Sequence, residues 1–268
     1  YAAQFDRMDQ GLGRIINTLE ATGQLDNTLI LFLADNGGCA EELRGPGQRD
    51  PRHNVSIARG GLNVTARTHD GNPVIMGNDP TIMAGPETTY QSYGVPWANL
   101  SNTPLREYKH WVHEGGIGTP FIAHWPKAIK AAGEFRHQPG QLTDVMATCL
   151  EISGTAYPDE NEGNPVYPLE GTSLVPIFGD KDNGKDLLYW EHEGNKAARR
   201  GNWKLVTKHP GDWELYDLEA DRTELNDLST KCPETVQELS GLHNEWADRC
   251  TVQPWIDILE SRQQHRSS

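Results

Sequence analysis

The chain has 268 residues, with 24 basic against 38 acidic side chains and a net charge of −14. Such an acidic balance argues against nucleic acid or an anionic membrane surface as a partner, and no run approaches the roughly 20 apolar residues of a membrane-spanning helix. The length suffices for one large domain or two smaller ones.

The first residues, YAAQFDRMDQGLGRIINTLEATG, already predict a helix. Phe5, Met8, Leu12, Ile15, Ile16 and Leu19 recur at helical spacing and Gly23 follows as a C-cap. A chain that opens at Tyr1 inside such a helix reads as a fragment or a processed product. Next comes LILFLADNGG. An apolar run from Leu29 to Ala34 with no polar alternation suits a strand covered on both faces, as in a parallel α/β sheet. Asp35 and Asn36 fall at its carboxyl end, the edge where open α/β sheets bind ligands. Their two side-chain oxygens, followed by glycines that let the backbone turn sharply, suit a hard cation. The same four residues also make an ordinary strand-ending turn.

From Glu41 to Pro104 the chain is rich in Gly, Pro, Asn, Asp and Thr without sustained periodicity. This predicts a long loop that walls or covers the strand ends. Its sequons at Asn54, Asn63 and Asn99 are acceptors only in a eukaryotic secretory setting. The run LREYKHWVHEGGIGTPFIAHWP, residues 105–126, then leads from Glu114-Gly115-Gly116 into a short buried strand closed by Pro126. Lys109 and His113 should therefore lie near a sheet edge. There a lysine can neutralise an anionic oxygen and a histidine can exchange a proton, although a solvated loop lysine and an incidental histidine fit equally well.

TDVMATCLEISG predicts a helix capped by Thr143 or Asp144 and stopped by Gly154. After a Pro/Gly-rich connector at 157–168, LLYWEHEG, KAARRGNWKLVTK and WELYDLEAD predict three short strands with Gly201-Asn202 as a tight turn. A helix follows from Pro233, with Val236, Leu239, Leu242 and Trp246 on the face that covers this small sheet. His192, Glu193 and Asn195 sit in the YWEHEGN run, while Trp190 and Trp203 suit sheet packing. Cys39, Cys149, Cys232 and Cys250 match no CxxC pattern. Cys232 and Cys250 flank a helix whose ends lie roughly 27 Å apart, too far for a bridge.

The two motif-bearing runs, in order, resemble the sulfatase family of the alkaline-phosphatase-like superfamily. TLEATGQLDNTLILFLADNGG matches that family's helix end, buried strand and DNGG. Lys109, five residues before Glu114-Gly115-Gly116, and Pro120 match its second motif. LTDVMATCLEISG, LEGTSLVPIF, ARRGNWKLV and ELYDLEADRTELNDL are similar to later segments, so the likeness runs to about Leu228. Gly118 departs from it, because many members carry arginine there.

The resemblance implies the second half of an alkaline-phosphatase-like α/β sandwich (residues 1–183, with the long loop at 41–104), followed by a small α+β subdomain (184–268). It implies hydrolysis of a small sulfated substrate by a periplasmic or secreted enzyme of the arylsulfatase type. Asp35 and Asn36 would hold Ca2+, Lys109 would meet a sulfate oxygen, and His113 and His192 would reach the substrate. The formylglycine nucleophile arises from a C/S-x-P/A-x-R motif that no cysteine here matches, so it and the N-terminal half of the site would lie outside these residues, leaving them inactive alone. A phosphatase or phosphodiesterase of the same superfamily, or a non-catalytic calcium-binding module, are the alternative readings.

Overall fold

The computed structural model describes residues 1–43, 55–57, 65–80 and 82–267. In chain order the elements are α1 (Ala2–Ala21), β1 (Ile30–Leu33), β2 (Val55–Ile57), β3 (Ile75–Gly77), β4 (Thr89–Tyr90), α2 (Gly94–Asn102), α3 (Glu114–Ile117) and β5 (Phe121–His124). There follow α4 (Thr143–Ser153), β6 (Glu160–Asn161), β7 (Asn164–Pro165), α5 (Val175–Phe178), β8 (Leu187–His192), β9 (Asn195–Arg200), β10 (Trp203–Thr207), β11 (Glu214–Asp217), α6 (Pro233–Arg249) and α7 (Trp255–Ser267). The chain divides into two compact units, one of Tyr1–Asp35 with Thr119–Ser268 and one of Asn36–Gly118. The division expected at 183/184 falls inside the first unit.

In the first unit, α1 ends as its sequence predicts, with Gly23 at φ +68° just past the C-cap Thr22. None of its residues is buried, and Phe5, Met8, Ile15 and Ile16 are exposed. β1 pairs antiparallel with β5, from Ile30 opposite His124 to Leu33 opposite Phe121. This corrects two expectations. β1 has no parallel neighbour among the described residues, and β5 is largely exposed, Phe121 and Ile122 included. An unbroken apolar run signals that both faces are meant to be covered; it fixes neither the direction of the partner strand nor the source of the cover.

α4 ends at Gly154 in the left-handed conformation, as expected. Its first turn is held differently from the expected cap. Leu142 is the N-cap residue and makes no capping bond. The buried Asp144 carboxylate instead accepts the Gln141 N–H (2.7 Å) and the Thr172 N–H (2.9 Å) and pairs with Lys185 (2.5 Å). Thr148 extends this clasp, its Oγ1 accepting the Leu174 N–H at 2.9 Å.

The remainder of this unit is a four-stranded antiparallel sheet in the order β11-β10-β9-β8. Four strands stand where three were expected, because the Gly201-Asn202 turn splits the middle segment into β9 and β10. Helix α6, with Pro233 in its first turn, lays Leu239 onto Ala198, Leu205 and Leu215, with Val236 and Leu242 at the margin. At one side of this core His243 is buried, its Nε2 3.2 Å from the Trp190 carbonyl and its ring edge-on to Tyr189, Trp213 and Trp246. Burial holds its pKa below the ordinary value, against the opposing pull of the Trp190 carbonyl. Lys204 and Glu224 form a wholly buried ion pair at 2.8 Å. The cysteines are all free.

The second unit contains most of the stretch expected as a loop. β2 pairs antiparallel with β3, and β3 pairs parallel with β4. α2 closes the stretch with Ala98 fully buried. Strands of two or three residues are too short to register as periodicity, which is why the sequence reads as unstructured there. Asn99 lies exposed on α2, whereas Asn54 and Asn63 lie outside the described residues.

Candidate functional site

The site is built on two glycine pairs that meet. Asp35 stands exposed two residues after β1, and Asn36 follows half-buried. The Gly37 N–H donates to the Gly116 carbonyl at 2.9 Å, and the Gly38 carbonyl accepts the Lys109 N–H at 3.1 Å. The segments after β1 and around α3, more than seventy residues apart, are thus joined main chain to main chain. Neither Gly37 nor Gly38 has positive φ, so sharp turning is not why glycine stands there. A Cβ on Gly37 would lie 1.9 Å from the Gly115 carbonyl oxygen, and one on Gly116 would lie 2.0 Å from that of Trp111. Close approach requires these glycines.

Asn102, the last residue of α2, clasps both segments. Its Oδ1 accepts the Gly38 N–H at 3.0 Å, and its Nδ2 donates to the Glu107 carbonyl at 3.0 Å. Farther along, the Ser92 N–H donates to Asn78 Oδ1 at 3.0 Å and the Leu43 N–H to Ser92 Oγ at 3.2 Å, with the Glu42 carboxylate bonded to both side chains. Glu42, Asn78, Ser92 and Asn102 all escaped the sequence reading. Lone polar residues with no repeating interval carry no signature.

Lys109 projects partly into solvent with its Nζ 3.3 Å from Glu41 Oε1. An exposed pair of this kind is worth about 1 kcal/mol or less, too little to lock the ammonium in place. His113 is fully enclosed, immediately before α3. Such enclosure is compatible with the incidental, packed histidine that the sequence left open beside a substrate contact. His192 is exposed at the end of β8 in the first unit. Asn195 is buried and holds the hairpin, its Nδ2 donating to the His192 carbonyl (2.8 Å) and its Oδ1 accepting the His209 N–H (3.1 Å). Of the expected residues, Asn36 and Lys109 are brought together by the joined glycine segments, Asp35 precedes Asn36 directly, and His192 lies at the end of β8 in the first unit.

As a donor set, Asp35 and Asn36 offer a carboxylate and an amide oxygen at an accessible chain turn, the hard ligands that calcium takes, though fewer than the six to eight it needs.

Comparison with known proteins places the chain among relatives. Residues 1–155 match the sulfatase family model, and residues 107–248 match that of the N-sulphoglucosamine sulphohydrolase C-terminal region. An uncharacterized sulfatase of Schizosaccharomyces pombe is 30% identical over 250 residues, covering 89% of this chain and 41% of that protein. An arylsulfatase of Klebsiella aerogenes is 31% identical over 179 residues, 66% of this chain and 34% of its own length. The chain thus spans less than half the length of these relatives. Among solved structures, that of Ps i-CgsB superimposes with a TM-score of 0.58 at 22% identity (90% of this chain, 41% of that one). That of BT4656 with D-glucosamine-2-N,6-O-disulfate gives 0.56 at 19% (92% and 40%). At such identities these two speak for the fold, a mixed helix and sheet architecture ending in a small antiparallel sheet with its helix. With more than half of its residues inside the family model, and with both glycine motifs in the family's order, the chain belongs to the sulfatase family of the alkaline-phosphatase-like superfamily.

Proposed function

We propose that the whole protein hydrolyses sulfate monoesters and that this chain supplies part of its cation and sulfate site. The observation that supports this most is the junction itself: Gly37 to Gly116 and Gly38 to Lys109 are hydrogen-bonded through the main chain, so the Asn36 amide and the Lys109 ammonium rise from one rigid base. Calcium at Asp35 and Asn36 would polarise the sulfate, and a formylglycine from residues outside this chain would provide the nucleophile.

The work of this chain's own residues follows from their chemistry. Asp35 would give the cation a carboxylate oxygen and Asn36 an amide oxygen. Lys109 exchanges its loose contact with Glu41 for a sulfate oxygen, and its fixed positive charge counters negative charge that shifts among the sulfate oxygens as the S–O bond breaks. Lysine suits this task as a compact point charge. Among the described residues no helix is long and apolar enough to cross a membrane.

The test is made on the full-length protein. An aryl sulfate should turn over and the matching aryl phosphate much less, while Asp35→Ala should lose bound calcium and most activity together. Retained turnover with unchanged calcium content in Asp35→Ala would refute the assignment.

A further inference from the structure

We propose that Asn102 is a positioning residue that aligns the cation ligands with Lys109, using one face of its amide for each. This inference rests on the functional reading above. Its Oδ1 receives the Gly38 N–H (3.0 Å), two residues beyond Asn36, and its Nδ2 gives a hydrogen bond to the Glu107 carbonyl (3.0 Å), two residues before Lys109. A single planar group therefore fixes both chain segments at once.

The neighbourhood makes this bridge hard to replace. Asn102 terminates α2, whose buried Ala98 lies against Gly38 so closely that a Cβ there would come within 3.0 Å of the Ala98 Cα. Glu107 is held at φ +69°, a conformation that non-glycine residues adopt rarely and only when their surroundings hold them in it. The hydrogen bond from Asn102 Nδ2 is one such support. The short asparagine side chain holds an acceptor and a donor in one rigid amide plane; a carboxylate keeps only the acceptor, and an aliphatic group keeps neither. Groups that orient metal ligands without touching the metal commonly change affinity by about 10-fold to 100-fold when removed.

This chemistry yields a test that separates the two halves of the bridge. In the full-length protein, calcium affinity is measured by titration calorimetry after chelator treatment, together with KM and kcat for an aryl sulfate and the Tm, in wild type, Asp35→Ala, Asn102→Ala and Asn102→Asp. Asn102→Ala should weaken calcium by about 10-fold or more and also raise KM. Asn102→Asp still accepts the Gly38 N–H but sets an oxygen against the Glu107 carbonyl, so it should keep calcium affinity near the wild-type value and lose only in KM and kcat. A merely structural asparagine would lower the Tm of both variants and leave calcium affinity and KM at wild-type values, which would overturn the proposal. If Asp35→Ala removes calcium while Asn102→Ala does not weaken it, the functional reading stands and the positioning role falls. If Asp35→Ala leaves calcium binding unchanged, both fall.

Discussion

Lys109 and Gly37 illustrate how differently two residues of one site can matter. Lys109 has an exposed, weakly paired ammonium, so Lys109→Ala should leave the Tm nearly unchanged while lowering kcat by roughly 100-fold, the scale for removing one group aimed at transition-state charge. Steady-state kinetics beside a melting curve checks this, and near-normal turnover would make Lys109 a solvated loop residue. Gly37→Ala should do the reverse in origin, damaging the site by displacing main chain: its Cβ would fall 1.9 Å from the Gly115 carbonyl, which cannot move without breaking the bond between Gly37 and Gly116. A Tm lowered by several degrees, with calcium affinity lost in parallel, is the expected result. The proposed site residues Asp35, Asn36 and Lys109 stood out in the sequence, because Asp-Asn after an apolar run and Lys before Glu-Gly-Gly are unusual combinations. The purpose of the glycines was misread as turning, and Asn102 was not read, because both depend on what lies opposite in space.

Among the elements, α4, α6 and the Gly201-Asn202 hairpin follow closely from their sequences, since each carries its own start, stop and apolar face. β1 and β5 were harder. Their apolar content was plain, but their pairing direction and exposure depend on neighbours that periodicity does not name. The α6 contact with the four-stranded sheet makes a pH prediction. His243 is buried among aromatic rings with its pKa held down by burial, so the folded state favours neutral imidazole. This contribution to stability is complete above an unfolded-state pKa of about 6.5. It is lost as pH falls from there through the lowered folded value. The wild-type Tm should therefore fall between pH 7 and pH 5 more steeply than that of His243→Phe, which has no proton to gain. Parallel Tm profiles for the two proteins would show that His243 does not contribute to the pH dependence.

At the scale of the molecule, the 268 residues contain no cysteine or serine in the C/S-x-P/A-x-R setting, and the proposed pair Asp35 and Asn36 brings one carboxylate and one amide where calcium takes six to eight oxygens. Purified alone, Tyr1–Ser268 should give no measurable aryl sulfate turnover and bind calcium more weakly than about micromolar, the range of complete sensor sites. Its exposed α1 residues and the open Phe121 and Ile122 should also promote self-association, visible as concentration-dependent light scattering. Turnover, or tight calcium binding, would show that the chain holds a complete site by itself.

The hydrogen bond between Gly38 and Asn102 spans 64 positions of sequence with 3.0 Å of space. The chain that leaves at Cys39 therefore returns at Ser101 to the place it left, and two of its residues touch the site: Ala98 lies against Gly38, and Glu41 pairs with Lys109. Inserting or exchanging sequence within such an excursion alters its closure entropy only slightly, about 0.6 kcal/mol for each doubling of length. Transplanting the corresponding stretch from another member of the family, with Gly38, Glu41, Ala98 and Asn102 retained, should therefore leave calcium affinity of the full-length protein unchanged, which titration calorimetry would check.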